Sequence, residues 1–259
     1  MARSDYESVA DFHIGESSPS FVSNVRRLLQ AKSAKHYQHG FKVGKVAPSR
    51  LYRVGMPPID GGDWNSKVFR KRTQETDLMD TCVTVLVDWS GSMHGNKCRH
   101  AAKATSLLNE AFARVLHMPV EILSFTSSGS TPVMAVIKSY AKPANADQIA
   151  ARFHKFLDRM NGNNDADSVL WAYDRILKRK EKRKLLIVMS DGSPSDGLGD
   201  PAYALKQVTS RIMSEGRVEL YGIGIMDRNV ERYYPKWHVI DYGEAIEAAL
   251  INVLGKALT

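Results

Sequence analysis

The pattern of hydrophobic and polar positions changes near residue 81. Before it, polar and basic residues follow no period; after it, short apolar runs alternate with longer segments whose apolar residues recur every three or four positions. The short runs predict strands buried on both faces, and the periodic segments predict amphipathic helices. The predicted strands are Val83–Val87, Val120–Phe125, Leu185–Met189, Val218–Ile225 and His238–Ile240, with Val133–Tyr140 as a further candidate at the sheet edge. The predicted helices are Lys97–Leu116, Ala146–Met160, Ser168–Lys178, Pro201–Ser214 and Glu244–Leu258.

This order of elements predicts a fold class. Strands that alternate with helices need crossover connections, which produce a mainly parallel sheet. We therefore expect a doubly wound, Rossmann-like α/β domain over residues 81–259, with helices on both faces and one edge strand that could run antiparallel. Residues 1–80 are predicted to be an N-terminal extension that is basic and partly irregular. It contains at most a short helix at Val25–Lys32 and a turn-rich connector at Met56–Trp64.

Cysteine content and charge narrow the class of protein. The chain has 259 residues, a formal net charge of +8 and only two cysteines, Cys82 and Cys98, so no disulfide framework is expected. Without a long apolar run or a secretory signal, a cytoplasmic protein with no membrane partner is predicted.

The segment Arg26–Arg53 contains eight Lys or Arg and no Asp or Glu. Such a patch can attract nucleic acid, an acidic partner or an anionic small molecule, or only keep the surface solvated.

Polar side chains follow two of the predicted strands at their carboxyl ends. Asp88 ends the first strand and is followed by Ser90 and Ser92, and Asp191 follows a later strand. If these strands are neighbours, both carboxylates meet in one crevice, and Asp165, in the loop before a predicted helix, adds a third. Carboxylate and hydroxyl oxygens are ligands of hard divalent cations such as Mg²⁺. Strand-end or helix-capping roles are the alternative for these aspartates.

The sequence contains no convincing catalytic set. It lacks the G-x-x-x-x-G-K-[ST] phosphate-binding loop, and Ser90 lacks the flanking glycines of a nucleophile elbow. The stretch Gly222-Ile223-Gly224 lacks the third glycine of the dinucleotide fingerprint. We therefore expect a binding protein or a non-catalytic subunit of an enzyme.

These motifs resemble those of a known family. Asp88-x-Ser90-x-Ser92 with Asp191-Gly192 is similar to the metal-ion-dependent adhesion site of von Willebrand factor A domains. The resemblance is closer still to the C-terminal domain of the cobaltochelatase CobT subunit, and it extends from about Leu28 to the C-terminus. Other matching stretches are Arg70-Lys71-Arg72, Glu121–Thr126, Lys142–Asn145, Leu170-Trp171-Ala172, Ser190–Pro194, Val218–Ile225 and Arg232-Tyr233-Tyr234.

The resemblance implies a site for Mg²⁺ or another hard divalent cation. Ser90 and Ser92 are its implied hydroxyl ligands, and Asp88 and Asp191 are implied to bind directly or through water. The position that is threonine in many A domains falls at Asp165, with Asp167 as the alternative. An acidic loop of a partner protein is implied to complete the coordination of the cation.

The resemblance also implies the partners. The family's subunit pairs with an AAA+ ATPase and a large chelatase subunit, in a complex that inserts cobalt into a corrin. Two other functions stay open: an adaptor of a MoxR-type AAA+ ATPase that remodels another client, and a nucleic-acid-binding A domain that uses the basic segment. The sequence is compatible with a monomer on its own and with a ring within a complex.

Overall fold

The computed structural model describes residues 17–32, 36–54, 67–73, 80–191, 194–197, 199–241 and 245–257. The chain forms two compact units: Leu29–Thr76 is one, and Met1–Leu28 together with Asp77–Thr259 is the other. The extension predicted at residues 1–80 is therefore divided between the two units. The connector predicted at Met56–Trp64 lies outside the described residues.

Numbered in chain order, the strands are β1 (His36–Phe41), β2 (Lys45–Val46), β3 (Phe69–Thr73), β4 (Thr81–Asp88), β5 (Val120–Ser128), β6 (Thr131–Lys138), β7 (Arg183–Ser190), β8 (Glu219–Ile225) and β9 (Lys236–Ile240). The helices are α1 (Pro19–Lys32), α2 (Asn96–Asn109), α3 (Ala146–His154), α4 (Asp165–Leu177), α5 (Pro201–Glu215) and α6 (Ile246–Ala257).

The larger unit is built on a six-stranded sheet with the order β6-β5-β4-β7-β8-β9. Neighbouring strands are parallel, except that β6 pairs antiparallel with β5 at the edge. This arrangement confirms the predicted, mainly parallel α/β sheet and its antiparallel edge strand. β4 and β7 are parallel neighbours in this sheet. The carboxyl end of β4, just before Ser90, and that of β7, at Ser190, therefore lie at the same edge.

Helices cover both faces of this sheet. α4 and α5 pack against each other over one face, whereas α2 contacts α3, α6 and the sheet on the other. Every residue of β4 is buried, and its side chains point alternately toward the helices on one face of the sheet and those on the other. Leu86 belongs to the same core cluster as Tyr173 of α4. In β7, Met189 faces the other layer and accepts a hydrogen bond from Thr105 of α2. Two-sided burial explains why these strands are mainly apolar in sequence.

Local sequence fixes several helix ends. α5 begins after Asp200, whose carboxylate accepts hydrogen bonds from two backbone N–H groups of the first turn. It ends at Gly216, whose φ of +62° is a left-handed conformation that favours glycine. α3 begins with a reciprocal capping box between Asn145 and Gln148.

Three helices differ clearly from their prediction. α3 ends at His154 instead of Met160, and a separate 3-10 turn follows at Leu157–Arg159. α1 begins at Pro19 rather than near Val25, because the Ser18 hydroxyl accepts a hydrogen bond from the Phe21 N–H at 3.1 Å. Ser18 is itself held by the Glu247 carboxylate, which accepts from its backbone N–H at 2.9 Å. α2 ends at Asn109 and continues as a π-helical turn, Glu110–Val115, instead of as an α-helix.

The smaller unit contains a three-stranded antiparallel sheet with the order β1-β3-β2. The sequence pattern predicted irregular structure here, since the central strand reads Phe-Arg-Lys-Arg-Thr and has no apolar alternation. Across the described parts of both units, no helix has the length and apolar character needed to cross a membrane.

Candidate metal centre

The loop after β4 presents two serine hydroxyls beside Asp88. The Oδ1 atom of Asp88 accepts a hydrogen bond from the backbone N–H of Ser90 at 2.8 Å. The Oγ atoms of Ser90 and Ser92 lie 3.0 Å apart. Ser90 is buried and Ser92 is exposed, so this set of oxygens extends from the interior to the surface at the carboxyl end of the sheet.

The residues between these polar positions anchor the loop. Trp89 is buried and stacks on Phe153, with ring centroids 4.6 Å apart, and Met93 is fully buried. The backbone N–H of Gly91 donates to the carbonyl oxygen of Asn161. A Cβ atom at residue 91 would lie 3.2 Å from that oxygen, so glycine permits the close approach that fixes the loop.

Three buried carboxyl groups near the loop interact electrostatically. Asp88 ends β4, Asp191 follows the neighbouring β7 and Asp165 opens α4; their exposed fractions are 0%, 3% and 1%. The alternative candidate Asp167 is exposed, and its carboxylate accepts a hydrogen bond from Asn164 at 2.9 Å. Asn164 is also the N-cap of α4, which leaves Asp165 without a capping role.

Two oxygens of this group have no donor. The Oδ2 atom of Asp165 and the Oδ1 atom of Asp191 are buried and lack a hydrogen-bond partner among the described residues. The other Asp191 oxygen, Oδ2, accepts a hydrogen bond from the Lys97 ammonium at 3.0 Å. Buried polar atoms without a partner are costly, and a cation is one way to satisfy carboxylate oxygens in such a place.

Burial and mutual repulsion raise the pKa values of two of these groups. The pKa of Asp88 is raised to about 7, first by burial and then by the charge of Asp191, although hydrogen bonds from Ser90 and Ser190 oppose the shift. The pKa of Asp165 is raised well above its usual range by burial and by the charges of Asp88 and Asp191. These carboxyl groups can ionise together only with a compensating positive charge.

Sequence reasoning gave no role to three residues that the fold brings to this site. Lys97 holds Asp191, and the Asn163 side chain donates to Asp88 Oδ2 at 3.2 Å. The third is Tyr234, whose hydroxyl is buried without a hydrogen-bond partner in the described chain and whose pKa is raised well above its usual range by burial and by the charges of Asp165 and Asp88. Asn163 and Lys97 are close in sequence to Asp165 and Ser92, but the aspartates that they contact are 75 and 94 positions away, and no local pattern indicates such contacts.

The chemistry of the donor set limits what the site can hold. In the part of the chain that the structure describes, no three His, Cys, Asp or Glu side chains form a group that could hold a metal ion. A cation here would therefore depend on the hydroxyls of Ser90 and Ser92, and on water, as well as on carboxylates. Such an all-oxygen set suits Mg²⁺ better than Zn²⁺. The predicted ligands stay a prediction.

The doubly wound sheet and the oxygen-rich loop at its carboxyl edge define the class of von Willebrand factor A-type domains. A family model described as the VWA domain of the cobalamin biosynthesis protein CobT matches residues 68–259. The chain belongs to this family. The match begins at Val68, later than the start near Leu28 that the sequence resemblance predicted.

Two solved structures match about two thirds of this chain. The vWF domain of the type V pili tip protein Mfa5 from Porphyromonas gingivalis is 10% identical, with a TM-score of 0.48 over 69% of this chain and 93% of that chain. The PilB minor pilin from Streptococcus sanguinis is 12% identical, with a TM-score of 0.48 over 69% of this chain and 60% of that chain.

Proposed function

We propose that this chain is a CobT-like cobaltochelatase subunit that acts as a Mg²⁺-dependent protein-binding module. In this role it couples an AAA+ ATPase to a complex that inserts cobalt into a corrin, while ATP hydrolysis and metal insertion belong to its partners. Membership of the CobT family supports a role in cobalamin biosynthesis. The observation that carries the binding role is the pair of buried, donorless oxygens of Asp165 and Asp191 beside the hydroxyls of Ser90 and Ser92.

Each side chain of the site has a defined part in this proposal. Ser90 and Ser92 offer hydroxyl oxygens, and Asp88 and Asp191 supply negative charge directly or through water. Asp165 adds charge at the N-terminus of α4, where the helix dipole favours an anion. When bound, Mg²⁺ would supply an exchangeable coordination position for a carboxylate of the partner. Because Ser92 faces solvent, the partner's acidic loop can reach this side of the site.

The Asp88→Ala variant is expected to lose Mg²⁺-dependent capture of the AAA+ ATPase subunit while keeping the fold. Asp88 is fully buried among the other acids, so its removal takes one negative charge from the cation site and also relieves their repulsion. The measurement is co-purification of the ATPase and the large chelatase subunit with the tagged full chain, in Mg²⁺ and in EDTA. Circular dichroism checks the fold of the variant.

The control is Asp174→Ala, which removes an exposed carboxylate from α4 and should leave capture unchanged. Equal capture by the Asp88→Ala variant, or by the wild type in EDTA, would contradict the metal-bridged contact. Capture of an AAA+ ATPase without any chelatase subunit would instead favour an adaptor that serves another client.

A second expectation concerns Lys97, whose ammonium donates to Oδ2 of Asp191 and so places a competing positive charge beside the oxygen proposed for the cation. Lys97→Met is expected to tighten the binding of a divalent cation roughly three- to tenfold, because the methionine keeps the length of the side chain and removes the competing charge. Titration with Mn²⁺, followed by electron paramagnetic resonance, measures the affinity. Lys103→Met removes an exposed charge from the same helix and should change the affinity little; weaker binding by Lys97→Met would show that Lys97 supports the site instead.

A further inference from the structure

A buried tyrosine reaches the candidate metal centre from the segment before β9. Tyr234 follows the 3-10 turn Asn229–Arg232 and is 4% exposed. Its hydroxyl oxygen is buried and has no hydrogen-bond partner among the described residues. An unpaired buried hydroxyl destabilises a fold, and most such groups in proteins bind protein atoms or ordered water. This hydroxyl is therefore expected to bind a group other than the protein atoms around it.

A glycine of β8 makes room for the Tyr234 side chain. A Cβ atom at Gly222 would lie between 2.5 and 2.8 Å from three atoms of Tyr234, which is closer than real side chains pack. The tyrosine ring therefore rests directly on the backbone of β8. The backbone N–H of Tyr234 also donates to the carbonyl oxygen of Val230 at 3.0 Å. Contacts of both the ring and the backbone thus fix the direction in which the hydroxyl points.

The strand register places this tyrosine on the face of the sheet that carries the acidic groups. The residue of β7 that pairs with Gly222 lies two positions before Ser190. Side chains two positions apart on a strand share a face and are separated by roughly 6.6 Å, so Ser190 lies on the face that Tyr234 covers. The Ser190 hydroxyl donates to Oδ2 of Asp88 at 3.0 Å and also interacts with the Asp165 carboxyl group. Tyr234 and both acids therefore share one side of the sheet at its carboxyl edge.

Electrostatics identify Asp165 as the acid with which the hydroxyl interacts most strongly. Burial raises the pKa of Tyr234 well above its usual range, and the charge of Asp165 contributes more to this rise than that of Asp88. The phenol therefore stays protonated at neutral pH and can donate a hydrogen bond. Oδ2 of Asp165 is itself buried and has no donor among the described residues. A donor and an acceptor of hydrogen bonds are thus both unsatisfied in the same part of the interior.

We propose that Tyr234 is a positioning residue of the candidate metal centre, and that its hydroxyl holds Oδ2 of Asp165 through one buried water molecule. The water accepts a hydrogen bond from the tyrosine and donates one to the carboxylate; buried waters typically make about three hydrogen bonds to groups of this kind. The contact fixes the orientation of the Asp165 carboxylate before a cation binds, as partners behind a metal ligand commonly do. This role rests on the proposed cation site, whereas the contact itself exists without a cation.

Tyr234→Phe keeps the ring over Gly222 and removes only the hydroxyl. In Mn²⁺ titrations of the full chain followed by electron paramagnetic resonance, this variant is expected to bind the ion about tenfold more weakly than the wild type. The matched control is Tyr221→Phe. Tyr221 is fully buried on the opposite face of β8, and its hydroxyl donates to the Trp237 carbonyl oxygen at 3.4 Å. The control also loses a buried hydroxyl, but its Mn²⁺ affinity should stay within about twofold of the wild type.

A crystal structure of the wild-type chain, grown in EDTA, tests the contact without any metal. It is expected to show one ordered water within about 3.2 Å of both the Tyr234 hydroxyl and Oδ2 of Asp165. Crystals of Tyr234→Phe should lack this water. Thermal unfolding of both tyrosine variants in EDTA checks that each is folded.

Three results would overturn the proposal: a Tyr234 hydroxyl that binds a group other than this water, an unchanged Mn²⁺ affinity in Tyr234→Phe, or an equal loss of affinity in Tyr221→Phe. The last result would mean that any lost buried hydroxyl weakens the site through the fold. A wild-type chain that binds no Mn²⁺ would contradict the proposed function instead, and the crystal structure in EDTA would still decide whether Tyr234 holds Asp165.

Discussion

Mg²⁺ is expected to raise the unfolding temperature of this protein more at pH 8 than at pH 6. At about 100 times its dissociation constant, a ligand that binds only the folded state stabilises it by about 2.7 kcal/mol, or roughly 5–10 °C for a chain of this size. The pKa of Asp88 is raised to about 7. Below that pH, Mg²⁺ must displace a proton, which lowers its apparent affinity by about tenfold per pH unit. At pH 6 the same Mg²⁺ concentration should give roughly half the stabilisation.

Without Mg²⁺, the same carboxyl group should make stability depend on pH. Its pKa is raised in the folded state above the ordinary value of 3.8. The protonated form is therefore favoured by folding, and its contribution is fully present below the unfolded pKa and is lost as pH rises through about 7. In EDTA the unfolding temperature should fall between pH 5 and pH 8, and Mg²⁺ should offset this fall.

The Asp88→Asn variant tests both effects, because asparagine keeps the shape of the side chain and cannot ionise. It is expected to lose the Mg²⁺-dependent increase at both pH values and to show a flatter pH dependence in EDTA. Differential scanning calorimetry measures these midpoints, with NaCl at matched ionic strength as the control. An equal Mg²⁺ effect at pH 6 and pH 8, or its persistence in Asp88→Asn, would contradict the assignment of Asp88.

The main sheet could be predicted because its strands are buried on both faces. Leu185–Met189 has no polar residue and Val83–Val87 has only Thr84, whose hydroxyl is hydrogen-bonded to that of Tyr140. Further polar residues begin where each strand leaves the core. Once two such strands are neighbours, their carboxyl ends meet at one edge. The motif at Ser90 and Ser92, and the position of Asp191 after its strand, then follow from chain order alone.

The smaller sheet could not be predicted in this way. A strand whose central residues are Arg70, Lys71 and Arg72 has no apolar face, so neither helical nor strand periodicity is present to be detected. The start of α1, at Pro19, could not be predicted from the local sequence either. It depends on Ser18 being held by Glu247, a contact between residues 229 positions apart.

The candidate site was predictable only in part. The resemblance places the ligand at Asp165 and leaves Asp167 as the alternative, because both are acidic residues in the first turn of α4. The fold separates them, because Asp165 is buried near Asp88 and Asp191 while Asp167 is exposed beside Asn164. Lys97 and Asp191 are 94 positions apart in the sequence, and no local sequence pattern predicts their contact.

Breaking the buried ion pair between β5 and α4 is expected to have the largest effect on stability. Glu121 is 1% exposed, and Arg175 binds both of its carboxylate oxygens, at 3.1 and 2.6 Å. Arg175→Met would leave the Glu121 charge buried without its ion-pair partner, although Lys138 also interacts electrostatically with it. We expect a loss of about 3–5 kcal/mol in the free energy of unfolding, a large part of the 5–15 kcal/mol typical of a domain. Urea denaturation measures it.

Two further variants distinguish the cost of an unpaired buried charge from a loss of packing. Replacing both partners, as Glu121→Leu with Arg175→Met, should recover most of the lost stability, because no charge then stays buried without its partner. Arg211→Met breaks an ion pair on α5 whose side chains are 66% and 30% exposed, and it should lower the free energy of unfolding far less than Arg175→Met does. If the double variant were as unstable as Arg175→Met alone, the stacking of Arg175 over Trp171, at 5.1 Å, and not its charge, would account for the effect.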